Sequence, residues 1–205
     1  MKELKVTWKG ETPLIMHSCK CVNPLHPLAK EIKKYTSKRN KTDDDYEIIS
    51  NLEWFSGAYY TNDNIKSLND PNIDGSEHKL YVPSENILAT IINGAKAFKK
   101  GTDVKKYVDM ITINPILEVA GNPAFGLMAR DFMYRQVNQM VVSRARVTRT
   151  RPRFDSWVLR FVLRYDETKI DVETIINAIE YSGDYVGLCD SRPRYGKFAT
   201  VVDIA

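Results

Sequence analysis

Trp157-Val-Leu-Arg-Phe-Val-Leu-Arg-Tyr165 alternates along its whole length. Trp157, Leu159, Phe161, Leu163 and Tyr165 share one face, and Val158, Arg160, Val162 and Arg164 share the other. A period of two with a large apolar set on one side is the pattern of a half-buried antiparallel strand. Its outer face is basic. Downstream, Asp171 is placed to cap a helix that turns Val172, Ile175, Ile176 and Ile179 inward and ends at Gly183. A glycine-framed loop and a strand over 197–204 follow. Upstream, Val141 to Arg151 reads as a strand that leads through Pro152 and pairs with 157–165.

The first half supplies two more elements. Leu4, Val6 and Trp8 place an N-terminal strand over 4–10. Ser84 is placed to cap a helix with Ile87, Leu88, Ile91, Ile92 and Ala95 on its apolar face; Lys96, Lys99 and Lys100 suit its last turn and Gly101 its stop. The order predicts an α+β fold: a ferredoxin-like (RRM-like) β-α-β-β-α-β core with a four-stranded antiparallel sheet and two insertions. The first insertion, 18–80, holds a short helix around Leu28, Ile32 and Tyr35. A second helix there starts from a capping box at Thr42-Asp-Asp-Asp45, and a polar loop covers 62–77. The second insertion, 101–139, is irregular, punctuated by Pro115, Gly121, Pro123 and Gly126.

A hydrophobic content of 43% and a charged content of 27% belong to a globular chain and exclude an intrinsically disordered one. No apolar run reaches the length of a membrane span, and the N-terminus has no signal-peptide core. Cytoplasmic residence is expected, with no membrane partner. Three cysteines do not suggest a disulfide framework.

The net charge of +4 is unevenly made. Of twelve arginines, all but Arg39 lie at position 130 or later; of eighteen lysines, all but Lys169 and Lys197 lie before 107. Arginine is a planar fork that grips phosphate bidentately, whereas lysine is a mobile, hydrated point charge. The C-terminal half is therefore the expected anion-binding surface. Arg144, Arg146, Arg149, Arg151 and Arg153 crowd into ten residues. Strict alternation splits them between two faces, and a bulge near Val147–Thr148 would gather them. They read as a phosphate track, the alternative being salt bridges to Asp43, Asp44 and Asp45.

Gly187-Leu-Cys-Asp-Ser-Arg-Pro-Arg-Tyr-Gly-Lys-Phe198 is the second basic feature. Its glycines allow positive φ and close approach. Arg192, Arg194 and Lys197 supply charge, while Tyr195 and Phe198 supply faces for base stacking. The alternative is a tight connection with solvated charges. His17, Cys19, Cys21 and His26 have poor zinc spacing, so neither a metal nor any other cofactor is expected. No nucleophile elbow, P-loop or Ser-His-Asp spacing occurs, and no catalytic residue is assigned.

Three segments together resemble the RAMP superfamily, the RNA-binding subunits of CRISPR effector complexes. Lys9-Gly-Glu-Thr-Pro-Leu-Ile-Met-His17 resembles the family's opening after its first strand. Leu80-Tyr-Val-Pro-Ser-Glu-Asn-Ile-Leu-Ala-Thr-Ile-Ile92 resembles the start of its first helix. Gly187 to Phe198 resembles its terminal glycine-rich loop, and is similar to phage proteins ending in GLGDWRPRFGRF. The resemblance implies one RAMP-like domain over 1–205, with 101–139 as a thumb-like insertion. It implies a protein that binds single-stranded RNA or DNA without cleaving it and self-associates along the strand, in a host cytoplasm if phage-encoded. Gly187, Arg192, Tyr195 and Gly196 carry over the loop match, and Pro193-Arg194 replaces the family's arginine–glycine pair. No aspartate lies between Glu11 and Thr42, where some relatives carry a cleaving one. The expected strand-binding residues are the five clustered arginines, Arg160, Arg164, Arg192, Arg194, Tyr195, Lys197, Phe198 and His17. Two alternatives stay open: a metal-independent endoribonuclease with His17 or His26 as acid–base group, and an inhibitor that mimics a CRISPR backbone subunit.

Overall fold

A computed structural model describes residues 1–62, 64–68, 73, 78–142 and 145–204. In chain order the elements are β1 Lys2–Gly10, β2 Leu14–Ile15, α1 Pro27–Thr36, α2 Asp43–Gly57, α3 Ser84–Lys96, α4 Gly101–Tyr107, β3 Val108–Met110, β4 Leu117–Val119, α5 Phe125–Arg130, β5 Arg135–Val142, β6 Ala145–Phe154, β7 Trp157–Tyr165, α6 Val172–Tyr181 and β8 Phe198–Ile204. The fold is α+β with two β-sheets. The chain divides into two compact units, one of residues 1–14, 81–121 and 155–205, the other of 15–80 and 122–154.

In the first unit, β8, β1 and β7 lie side by side, and β3 and β4 both pair with β7; every pairing is antiparallel. Five strands therefore stand where four were expected. β3 covers one end of β7 (Val108 opposite Tyr165) and β4 the other (Leu117 opposite Leu159). Between them the ladder is bridged locally. Ile111 N donates to Val162 O at 2.9 Å, and Val162 N donates to Thr112 Oγ1 at 3.0 Å. Pro115, which has no N–H to give, lies in the same gap.

The inner face of this sheet is the one the alternation of β7 predicts. Leu159 and Leu163 are fully buried, as are Leu4 and Trp8 from β1. Trp8 stacks on Phe198 (centroids 4.0 Å apart, 18° between planes) and meets Phe161 edge-on at 4.8 Å. Ile87, Ile91 and Ala95 of α3 and Ile175, Ala178 and Ile179 of α6 are buried. Gly94 lets these helices approach closely: a Cβ there would sit 2.1 Å from Ser182 Oγ.

The second unit holds the three-stranded sheet β2–β6–β5, with α2 against β6. Its core is aromatic. Trp54, Phe55, Tyr60 and Phe125 cluster with ring centroids 4.9–5.7 Å apart. Trp54 Nε1 donates to Tyr134 O at 2.8 Å, which satisfies the one polar atom of a fully buried ring. The capping box of α2 forms as expected: Thr42 Oγ1 accepts from Asp45 N, and Asp45 Oδ2 accepts from Thr42 N.

Several expectations are corrected. Of the strand expected over 141–151, residues 145–151 lie in β6, which pairs with β5 and β2 rather than with β7; 141 and 142 end β5, and 143 and 144 lie outside the described residues. The β5–β6 register is continuous from Arg135–Pro152 to Val142–Ala145, so no bulge interrupts 147–148. Residues 101–139 are not irregular: they contain α4, β3, β4, α5 and the start of β5. Strands of three residues, such as β3 and β4, are too short to show alternation, and β5 is rich in glutamine and asparagine. Ser84 does not cap α3; its hydroxyl accepts from Asn114 N at 2.8 Å and braces the β3–β4 connection. Gly101 opens α4, and the turn after α3 is made by Lys99 at φ 60°. Beyond α6 the chain continues through a π turn, Ser182–Val186, and stops at Gly187 (φ 76°) rather than at Gly183. None of the described helices is long and apolar enough to cross a membrane.

Candidate nucleic-acid interface

The terminal loop is pinched at its base. Leu188 N donates to Gly196 O at 2.9 Å, and Gly196 N donates onward to Pro13 O at 2.9 Å. Both framing glycines have positive φ (76° and 74°) and no room for a side chain. A Cβ on Gly196 would lie 2.1 Å from Leu188 O, and one on Gly187 would lie 2.6 Å from Tyr195 O. Leu188 anchors the neck in the core, fully buried. Above it, Arg192 and Arg194 are exposed, Tyr195 and Lys197 are half-buried, and the Arg194 guanidinium lies 5.9 Å from the Tyr195 ring centroid. The Arg192–Pro193 peptide is cis.

Two other stretches of the chain hold this loop. From the turn after β1, Thr12 Oγ1 accepts from Lys197 N at 2.8 Å, and Glu11 N donates to Lys197 O at 2.9 Å. From α3, Thr90 Oγ1 donates to Gly187 O at 3.3 Å, and Asn86 Nδ2 reaches Cys189 Sγ at 3.9 Å. Desolvation pushes the Cys189 thiol up to about 12, so this cysteine is a packing group rather than a nucleophile. Residues 11–13 and 86–90 thus meet the loop 187–198. Phe198 offers no stacking face: it is 2% exposed and held between Trp8 and Trp157.

The outer face of the first unit's sheet is mixed rather than basic. Lys5, Lys9, Arg160 and Arg164 share it with Glu3, Asp109, Glu118 and Asp203, all exposed. Arg164 is paired with Asp109 across the strands at 2.8 Å, and Arg160 with Glu118. The edge strands β3 and β4, which supply the two acids, fall in the stretch expected to be irregular, so this neutralisation was hidden from the sequence.

In the second unit, β6 turns Thr150, Pro152 and Phe154 inward and leaves Arg149, Arg151 and Arg153 half-exposed on the other side. Arg149 Nη1 binds Glu53 Oε1 at 2.5 Å, and the other carboxylate oxygen of this buried glutamate accepts Thr150 N at 2.7 Å. Arg153 donates to Gln136 at 2.9 Å. Arg149 and Arg151 line a cavity of about 470 Å3 together with His17 and Lys33. Lys33, on α1, had no sequence signal beyond an ordinary helical lysine. Cys21 lines the same cavity, where burial pushes its thiol up. Arg144 lies outside the described residues, as does the side chain of Arg146.

Asp43, Asp44 and Asp45 occupy the first turn of α2, where acids suit the helix dipole, and Asp45 pairs with Lys38 at 2.6 Å. Hydrogen bonds from Lys38 and from the Thr42 backbone hold its carboxyl below the usual range. His26 is the N-cap of α1, its Nδ1 accepting from Leu28 N at 3.2 Å. Among the described residues no group of three or more His, Cys, Asp or Glu side chains could hold a metal ion. Comparison with known proteins finds no family model that matches the chain and no matching curated protein.

Proposed function

We propose that this chain is a non-catalytic, single-stranded nucleic-acid-binding protein with a RAMP-like, ferredoxin-like core, self-associating along the strand. The observation that carries the reading is that residues 11–13 and 86–90 hydrogen-bond to the loop 187–198, which turns Arg192, Arg194 and Tyr195 outward. Two stretches far from it in sequence spend hydrogen bonds on holding that loop. Its exposed charges sit beside a ring, an arrangement that suits a phosphate backbone with splayed bases. The topology is compatible with the core. If β3 and β4 count as one interrupted strand, the chain runs β-α-β-β-α-β through an antiparallel sheet ordered fourth, first, third, second.

The mixed charge of the sheet's outer face argues for a strand held at the loop rather than spread across the sheet. Fluorescence anisotropy with labelled single-stranded RNA and DNA over a salt series tests the reading. Binding should weaken steeply with salt, and Arg192→Gln with Arg194→Gln should lower the slope of log K against log salt by about one to two. Absence of binding to either strand at low salt would overturn it. Analytical ultracentrifugation with a long strand tests the assembly, which requires several copies per strand.

A further inference from the structure

We propose that an aromatic ledge on the first unit, Phe98–Tyr181–Tyr185, carries the bases of the bound single strand, with Tyr185 as the stacking face beside the terminal loop. The inference rests on the strand-binding reading and gives the strand a path past the loop. Tyr185 belongs to the π turn Ser182–Val186 and is 63% exposed. Such turns interrupt helices most often at functional sites. The Tyr185 ring centroid lies 4.7 Å from that of Tyr181, with 35° between planes. Tyr181 in turn meets Phe98, just beyond α3, at 5.5 Å and 78°. Phe98 is itself 48% exposed. Burial ordinarily holds a large aromatic ring, so a row with two of its three rings in water calls for a ligand.

The ledge opens onto the loop. Tyr185, Asn93 of α3, Ser191, Arg192 and Pro193 line a groove of about 600 Å3. Arg192 places a phosphate-binding fork in the same groove as a ring on which any base can stack. Asn93 Oδ1 accepts from Lys96 Nζ at 2.7 Å, which leaves the two donors of its amide nitrogen for the edge of a base. Tyr181 backs the Tyr185 ring, so that ring loses little freedom when a base covers it. Charge is not what draws a strand along the ledge. Lys96 and Lys99 stand exposed there, but so do Glu180 and Asp184, and Asp190 in the groove lining accepts from Ser191 Oγ at 3.3 Å. The ledge therefore contributes stacking, which salt screens little, whereas the loop contributes ion pairs, which salt weakens.

Anisotropy of the full chain with labelled adenine homopolymers, RNA and DNA, each beside an abasic counterpart, over a salt series is the test. Tyr185→Leu should weaken the base-bearing strand at least about fivefold at every salt concentration, with the slope of log K against log salt unchanged. Tyr185→Trp should bind as well as the unaltered chain or better, since the ring face and not the hydroxyl is used. Tyr185 is an exposed position, so both changes leave the fold intact. The abasic strand should bind the unaltered chain and Tyr185→Leu alike. Arg192→Gln with Arg194→Gln should lower the salt slope instead. An equal loss for base-bearing and abasic strands in Tyr185→Leu would overturn the proposal, and so would a Tyr185→Trp chain as weak as Tyr185→Leu. If base-bearing strands bind with a steep salt slope and Tyr185→Leu changes nothing, the ledge falls and the strand-binding reading stands. If neither RNA nor DNA binds at low salt, that reading falls and the ledge with it.

Discussion

On β7, Arg160 and Arg164 lie on a solvent face beside Glu118 and Asp109, whereas on β6 Arg149 and Arg151 line a cavity with one buried glutamate among them. Both strands show alternating arginines, and the arginines of both stand among the residues expected to bind nucleic acid. The difference lies in what the neighbouring strands and helices bring. β3 and β4 lay one acid each beside the arginines of β7, so that face is close to neutral. α2 brings the buried Glu53 to β6, where its two oxygens bind Arg149 and the Thr150 N–H. Charge density along a chain is therefore a poor measure of potential at a surface; the cross-strand partner decides it.

The largest expected effect comes from the buried pair. Arg149→Met strands the Glu53 carboxylate, whose side chain is 9% exposed. A fully buried partner would cost about 3–5 kcal/mol; with the Arg149 side chain 40% exposed, about 2 kcal/mol is expected in denaturant unfolding. Adding Glu53→Gln should recover most of it, because the amide oxygen can still accept the Thr150 N–H. A single-variant loss below about 0.5 kcal/mol would place this pair with the exposed ones and erase the contrast.

Binding sharpens the comparison next. Arg192→Gln with Arg194→Gln should weaken single-stranded nucleic acid about tenfold, or about 1.4 kcal/mol. Arg160→Gln with Arg164→Gln should change it less than about twofold, since each already answers an acid. Equal losses from the terminal loop and from β7, measured by anisotropy at one salt concentration, would break the distinction. Smaller still is the stability effect on β7: Arg160→Met or Arg164→Met should shift unfolding by no more than about 0.5 kcal/mol.

The smallest effect is a titration. Hydrogen bonds from Arg164 and from the Met110 N–H hold the Asp109 carboxyl below its ordinary 3.8. A depressed folded value means that the pair's contribution is complete above pH 3.8 and is lost as pH falls through the lower folded value. In Arg164→Gln the carboxyl resonance should titrate closer to the ordinary value. An unchanged midpoint would mean that the arginine does not hold the acid.

Much of this molecule was legible where a pattern ran long enough. The nine-residue alternation of β7, the apolar periodicity of α3 and the capping box at Thr42 all formed as read. The pairing of β6 was misread because nearness in sequence stood in for nearness in space. A hairpin from 141–151 to 157–165 was the local choice, but β1, β3 and β4 already satisfy the edges of β7. Phe198 was misread for a related reason: an aromatic at the end of a basic loop looks exposed until Trp8 is laid against it.

What the sequence by itself determined is the set of elements whose signal is local: the amphipathic strands and helices, the glycines with positive φ at the neck of the terminal loop, and the arginine-rich second half. Tertiary structure alone decided which arginines meet acids, that Lys33 of α1 joins Arg149 and Arg151 around one cavity, and that Thr12 and Thr90 brace the terminal loop. Periodicity and turn chemistry act over a few residues and can be read along the chain. A charge pair, a cavity wall or the brace of a loop depends on groups far apart in sequence, 185 positions in the case of Thr12 and Lys197, and only the packed fold brings those together.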